Sequence, residues 1–236
     1  MVSNNTVAGI CGLATVLQVA LLEIAFPYVI SGPRLSGSSS LGSLLAAYSN
    51  PALVGTFWPA GVFILFVLFI LGIYLALRDA AASAGMSIFL LAAVAVAFME
   101  VPVLLTRTAL QWTLVSITAQ HGVVADNSTR IALEVSAVVV YRVYDVLYSS
   151  LLYWIEGGYV LLLGLVILRT GVFAHWLGWS SLVVGLYQFF NTLGIPLGIP
   201  DAVVILGNIL LILWTLMMSI SLLRLGNRSV GLRRRV

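Results

Sequence analysis

Lysine is absent from this chain, cysteine occurs once and histidine twice. Each scarcity removes a class of chemistry. With no lysine there is no Schiff-base amine, so retinal-type chemistry is excluded. Cys11 alone can form no internal disulfide. His121 and His175 fall in loops of opposite faces, so no histidine-rich metal or haem site can be assembled. An acid-rich run able to hold magnesium on a diphosphate is missing, and so is a phosphate-cradling glycine loop. Diphosphate-ionising chemistry is thereby disfavoured, and neither a metal nor a cofactor is expected.

Charge is also scarce: 8% of the 236 residues are charged, 61% are hydrophobic and the mean hydropathy is +1.13. That balance belongs to a membrane protein. We expect an all-α, polytopic single domain over residues 1–236. A helix needs about 20 apolar residues to cross the hydrocarbon core, and six stretches qualify: 7–30, 53–77, 84–106, 147–169, 176–195 and 202–225. The first has no Arg or Lys ahead of it, so it reads as a span and not as a cleaved signal. Arg78, Arg169, Arg224, Arg228, Arg233, Arg234 and Arg235 then fall on the side holding the C terminus, and Arg34, Arg107, Arg130 and Arg142 on the other. The positive-inside rule places both termini in the cytoplasm. The arginine-rich tail reads as an anchor against anionic lipid, not as a nucleic-acid site.

Residues 31–52 and 107–146 form the two long external connections. The first carries SGPRLSGSSSLGS, the composition of a flexible segment. The second is apolar enough over Ile131–Ser149 for a helix in, or dipping into, the outer interface, with Asp126, Asn127 and Ser128 as candidate caps. No internal repeat of clear period supports an inverted-repeat transporter.

A carboxylate in hydrocarbon costs from about 2.5 kcal/mol upward, which makes each buried acid a functional candidate. Glu23, Glu100 and Glu156 all map to the outer halves of their spans, as do Gln188, Asn191 and Asn208, with Asp201 at the mouth and Gln18 as the exception. One-sided polarity describes a pocket, since a channel needs polar groups at both depths. If one helix continues from Glu134 onward, then Glu134, Tyr141, Tyr144, Asp145, Tyr148, Glu156 and Tyr159 share a face. Gly157 and Gly158 invite a kink in it. The plainer reading is an interfacial tyrosine belt with an Arg142–Asp145 surface pair. Glu100, Arg107 and Gln111 share a face if the helix runs on past Pro102, and there the plainer reading is a structural Glu100–Arg107 pair. Ser181, Gln188, Asn191 and Thr192 form a seam, as do Asp201, Asn208, Thr215 and Ser219; both suit interhelical hydrogen bonding.

Ile167–Trp179, ILRTGVFAHWLGW, resembles a large bacterial family of polytopic membrane proteins of unassigned function; the likeness is confined to that segment and implies topology. More loosely, the size, membrane acids and aromatic residues resemble the small integral-membrane terpene cyclases of bacterial and fungal meroterpenoid pathways. Those enzymes use membrane-embedded carboxylic acids to protonate an alkene or epoxide and start a carbocation cascade. The resemblance implies an enzyme of the bacterial inner membrane acting on a hydrophobic small molecule such as an isoprenoid. The local reading names Glu100 and Glu156 as leading acids, then Glu23 and Asp145. Arg107, Tyr141, Tyr144, Tyr148, Tyr159, Trp154, Asn191 and Asn208 are the residues expected to bind substrate, with Tyr and Trp faces stabilising cationic charge. Two alternatives stand beside it: a proton-coupled transporter or binding protein in which Arg107 pairs an anionic solute, and a structural or regulatory membrane subunit.

Overall fold

In a computed structural model the chain is described over residues 3–25, 58–194 and 201–233. The described residues form α1 (Asn4–Ala25), α2 (Trp58–Ser83), α3 (Ser87–Val123), α4 (Asn127–Val146), a π-helical turn (Leu147–Leu152), α5 (Tyr153–Thr170), α6 (His175–Gly194) and α7 (Asp201–Arg233). Among them, four helical stretches are long and apolar enough to cross a membrane: Phe63–Ser83, Ser87–Val123, Asn127–Thr170 and Ile205–Asn227. The expected loop at 31–52 lies outside the described residues.

The helices alternate in direction. α1 runs antiparallel to α2, with Ala8 against Gly72 and Phe69 against Gly12, and antiparallel to α7, with Gly9 beside Leu223 and Thr6 beside Gly226. A methyl group on Gly12 would overlap Ser219 and the Phe69 ring, so glycine is what admits both neighbours. The start of α1 and the end of α7 therefore sit on one side of the bundle. The tight turns at 84–86 and 171–174 are on that side too. Gly85 and Gly171 make them with φ of 69° and 63°, left-handed values that favour glycine.

Lipid tails are as apolar as leucine, so close packing supplies much of the cohesion between such helices. Here Phe69, Ile73, Tyr159, Leu163, Trp214 and Met218 interlock as one buried core from α2, α5 and α7. α5 and α6 come close enough that a Cβ on Gly157 would lie 2.9 Å from the Gly185 carbonyl oxygen.

Two stretches outgrow the bilayer. α3 has 37 residues and Asn127–Thr170 has 44, or about 55 Å and 66 Å at 1.5 Å per residue, against roughly 30 Å of hydrocarbon. The excess is a helical hairpin opposite the start of α1 and the end of α7. Leu114 and Ile117 of α3 pack there against Ala137, Tyr141 and Tyr144 of α4. Residues 107–123, expected as external loop, instead continue α3 through Pro102. The expected interfacial helix is α4. It runs on from α5 instead of lying apart as a separate interfacial element, and α3 gives it a partner for its apolar face. Asp126 caps it by accepting from the Thr129 amide at 2.8 Å.

Candidate functional site

The polar residues of the bundle meet where α5, α6 and α7 converge. Glu156 lies in the first turn of α5, just after the π-helical turn, and is buried. The Gly157–Gly185 contact draws α6 against that turn, so Gln188, one turn beyond Gly185, reaches the carboxyl. Its Nε2 donates to Glu156 Oε2 at 3.2 Å and, at 3.5 Å, to the carbonyl of Gly207 on α7. Asn191 Nδ2 in turn donates to Gln188 Oε1 at 3.1 Å. Gln188 and Asn191 are fully enclosed, with 0% and 2% exposure. A methyl group on Gly207 would overlap the Asn191 amide nitrogen, so this glycine makes room for the chain of amides.

α3 closes the other flank. Gly158 faces Val96, whose Cγ1 would be 3.3 Å from a Cβ placed on that glycine. Glu100, four residues after Val96, is on the same helical face. Its Oε2 is buried and has no hydrogen-bond partner. Both Glu100 and Glu156 lie within electrostatic reach of the Tyr159 hydroxyl. The Tyr159 ring is flanked by Phe66 at 6.0 Å, edge-on, and by Trp214 at 6.2 Å between centroids. Trp214 is fixed by its own indole N–H, which donates to Ser181 Oγ at 2.7 Å.

Arg107 takes part in a second cluster, inside the hairpin. Its Nε and Nη2 donate to the Tyr144 hydroxyl at 3.3 and 3.2 Å, and Gln111 Nε2 donates to the same oxygen at 3.3 Å. Seven residues of helix put Arg107 about 10 Å above Glu100 along the axis. Sharing a face is thus not the same as touching, and Arg107 makes no hydrogen bond to Glu100 Oε2. Tyr141 is buried beside Tyr144, ring centroids 6.1 Å apart, and Glu134 contacts His121 at 3.0 Å nearer the tip.

The residues expected to line one pocket are therefore divided. Glu100, Glu156, Tyr159 and Asn191 gather in the bundle, while Arg107, Tyr141 and Tyr144 gather in the hairpin; Asp145 sits half-buried on α4. Trp154 is elsewhere: 54% exposed, it stacks edge-on to Phe189 at 4.8 Å on the outer face. Asn208 is half-buried on α7. The side chains of Glu23 and Tyr148 lie outside the described residues. Gln188 is the hub that the sequence reading placed only in a structural seam, and Trp214 and Ser181 were not read as part of the site. Their common signal was present: Ser181, Gln188 and Asn191 recur on one face of α6.

Among the described residues no group of three or more His, Cys, Asp or Glu side chains could hold a metal ion. Comparison of the chain with protein-family models, curated proteins and solved structures gave no match.

Proposed function

We propose that the protein is an integral-membrane enzyme that starts carbocation chemistry on an isoprenoid or similar unsaturated amphiphile, with Glu100 as the proton donor. The observation that supports this reading is the buried, unpartnered Oε2 of Glu100, within electrostatic reach of the Tyr159 hydroxyl. A carboxylate without a donor in hydrocarbon is costly, whereas a carboxylic acid there is tolerated and keeps a proton available for transfer. Delivered to an alkene carbon, that proton leaves a cation. The faces of Tyr159, Trp214 and Phe66 suit such a charge by cation–π attraction. The looser resemblance to membrane terpene cyclases points the same way.

On this reading six passes cross a bacterial inner membrane, α1 and α6 joining the four apolar stretches. The arginine distribution supports cytoplasmic termini and a hairpin on the opposite face. The chemistry itself calls for no cofactor.

The test is turnover of isoprenoid alkenes and epoxides by purified Glu100→Gln and Glu156→Gln proteins. Gln keeps size and much of the hydrogen bonding but supplies no proton. A general acid contributes about 10²- to 10⁴-fold, so a folded Glu100→Gln protein should lose at least the lower figure. Normal turnover by a folded Glu100→Gln protein, or unfolding of both variants, would defeat the proposal.

A further inference from the structure

We infer that Gln188, aligned by Asn191 and Gly207, makes Glu156 the proton acceptor of the pair and leaves Glu100 as the donor. This rests on the acid-catalysis reading for its chemistry but on the amide geometry for its direction. Carboxamide orientation is a matter of which neighbours can only accept or only donate. The carbonyl of Gly207 can only accept, and it lies 3.5 Å from Gln188 Nε2. Reversing Gln188 would set its Oε1 against that carbonyl, two acceptors face to face. The opposite end agrees: Asn191 Nδ2 meets Oε1.

With the amide so fixed, Glu156 Oε2 always meets an N–H. Donation to a carboxyl oxygen favours the charged form, and an oxygen offered no donor does not share in that preference. Since Glu100 Oε2 is offered none, Glu100 is the carboxyl that holds its proton, and Glu156 is the one that has given its proton up. Gln188 and Asn191 are then positioning residues, acting through Glu156.

The division closes a catalytic cycle without a co-reactant. The Glu100 O–H bond breaks as a C–H bond forms at the alkene, giving a cation and the Glu100 carboxylate. A C–H bond next to the final cation then breaks, its electron pair forming the product alkene and its proton passing to Glu156. Before the next turnover the proton returns from Glu156 to Glu100, with Tyr159 within electrostatic reach of both carboxyls. Substrate and product are isomers.

Infrared spectroscopy of the detergent-solubilised full chain at neutral pH tests the division without needing a substrate. The stretch of a protonated, buried carboxyl should be lost in Glu100→Gln and kept in Glu156→Gln. Gln188→Met, similar in size but with no donor, should add a second such band, which Gln188→Met combined with Glu156→Gln removes. Loss of the wild-type band in Glu156→Gln, or no second band in a folded Gln188→Met protein, overturns the inference. The two single carboxyl variants decide the matter even if Gln188→Met does not fold. If the bands behave as stated while Glu100→Gln turns over normally, the division of the carboxyls stands and the enzymatic reading falls.

Discussion

Trp214 and Ser181 join α7 to α6 through one short hydrogen bond, indole Nε1 to Oγ at 2.7 Å, and both residues are 0% exposed. Ser181 Oγ donates its own hydrogen bond to the Leu177 carbonyl at 2.7 Å, so its oxygen is oriented to accept from the indole. Ser181→Ala leaves a buried N–H with no acceptor. A cost of about 1–3 kcal/mol is expected, measured as reduced resistance to denaturation in detergent. If the acid-catalysis proposal holds, turnover should fall as well, because Trp214 packs against the Tyr159 ring.

Tyr144→Phe removes the oxygen that accepts from Arg107 and from the buried amide of Gln111. The hairpin should loosen by about 1–3 kcal/mol while the bundle holds. Hydrogen exchange checks this: faster exchange in the 107–123 half of α3 and in α4, with α5 and α6 unchanged. Equal acceleration throughout would mean that the hairpin is not an independent unit.

Asp126 provides a pH test at the hairpin tip. Hydrogen bonds from the Ser128 side chain, then from the amide and hydroxyl of Thr129, lower its carboxyl from 3.8 to about 2. A group depressed in the folded state contributes stability that is fully present above its unfolded value and is lost as pH falls through the folded one. Protection of the first turn of α4 should therefore be constant down to about pH 4 and decline from there toward about pH 2. Asp126→Ala should abolish that decline, with protection lower than wild type above about pH 4 and converging with it near about pH 2.

Side-specific labelling tests the arrangement of the passes. Ser3 and Thr6 lie beside Gly226, on the side of the turn at Gly85. With the buried Cys11 replaced, cysteines introduced at Ser3 and Gly85 should react with an impermeant reagent only from one face of the membrane, and a cysteine at Asn127 only from the other. Reaction of the first two from opposite faces would refute the antiparallel order.

Apolar windows in the sequence found helices long and apolar enough to cross a bilayer, because hydrocarbon thickness sets the length to look for. They placed 202–225 within α7 and most of 53–77 within α2, whose start at Trp58 leaves 53–57 outside the described residues. Asp126 was legible as a cap because the residues that cap are few and lie next to the helix they serve. The extent of α3 was not legible: beyond Arg107 its hydrophobicity falls, and it stays helical because α4 packs along it. Nor could spacing say whether Arg107 meets Glu100 or Tyr144, since a shared face fixes an angle and not a partner. Gly157 and Gly158 were read as a kink, yet they are helical and serve close approach, Gly157 to α6 and Gly158 to α3. That distinction depends on neighbours distant in sequence.

The irregularity lies earlier, at Leu147–Leu152, where the chain widens into a π-helical turn between α4 and α5. Such a turn usually amounts to an α-helix carrying one residue too many. Here it sets the phase between two rigid bodies, much as one tooth sets the timing of a gear. Deleting a single residue there would restore regular winding and rotate α4 by about 100° against α5. Tyr144 could then no longer meet Arg107 while Glu156 still met Gln188. The hairpin cluster and the buried carboxyls are thus kept in step by a single residue's worth of slack.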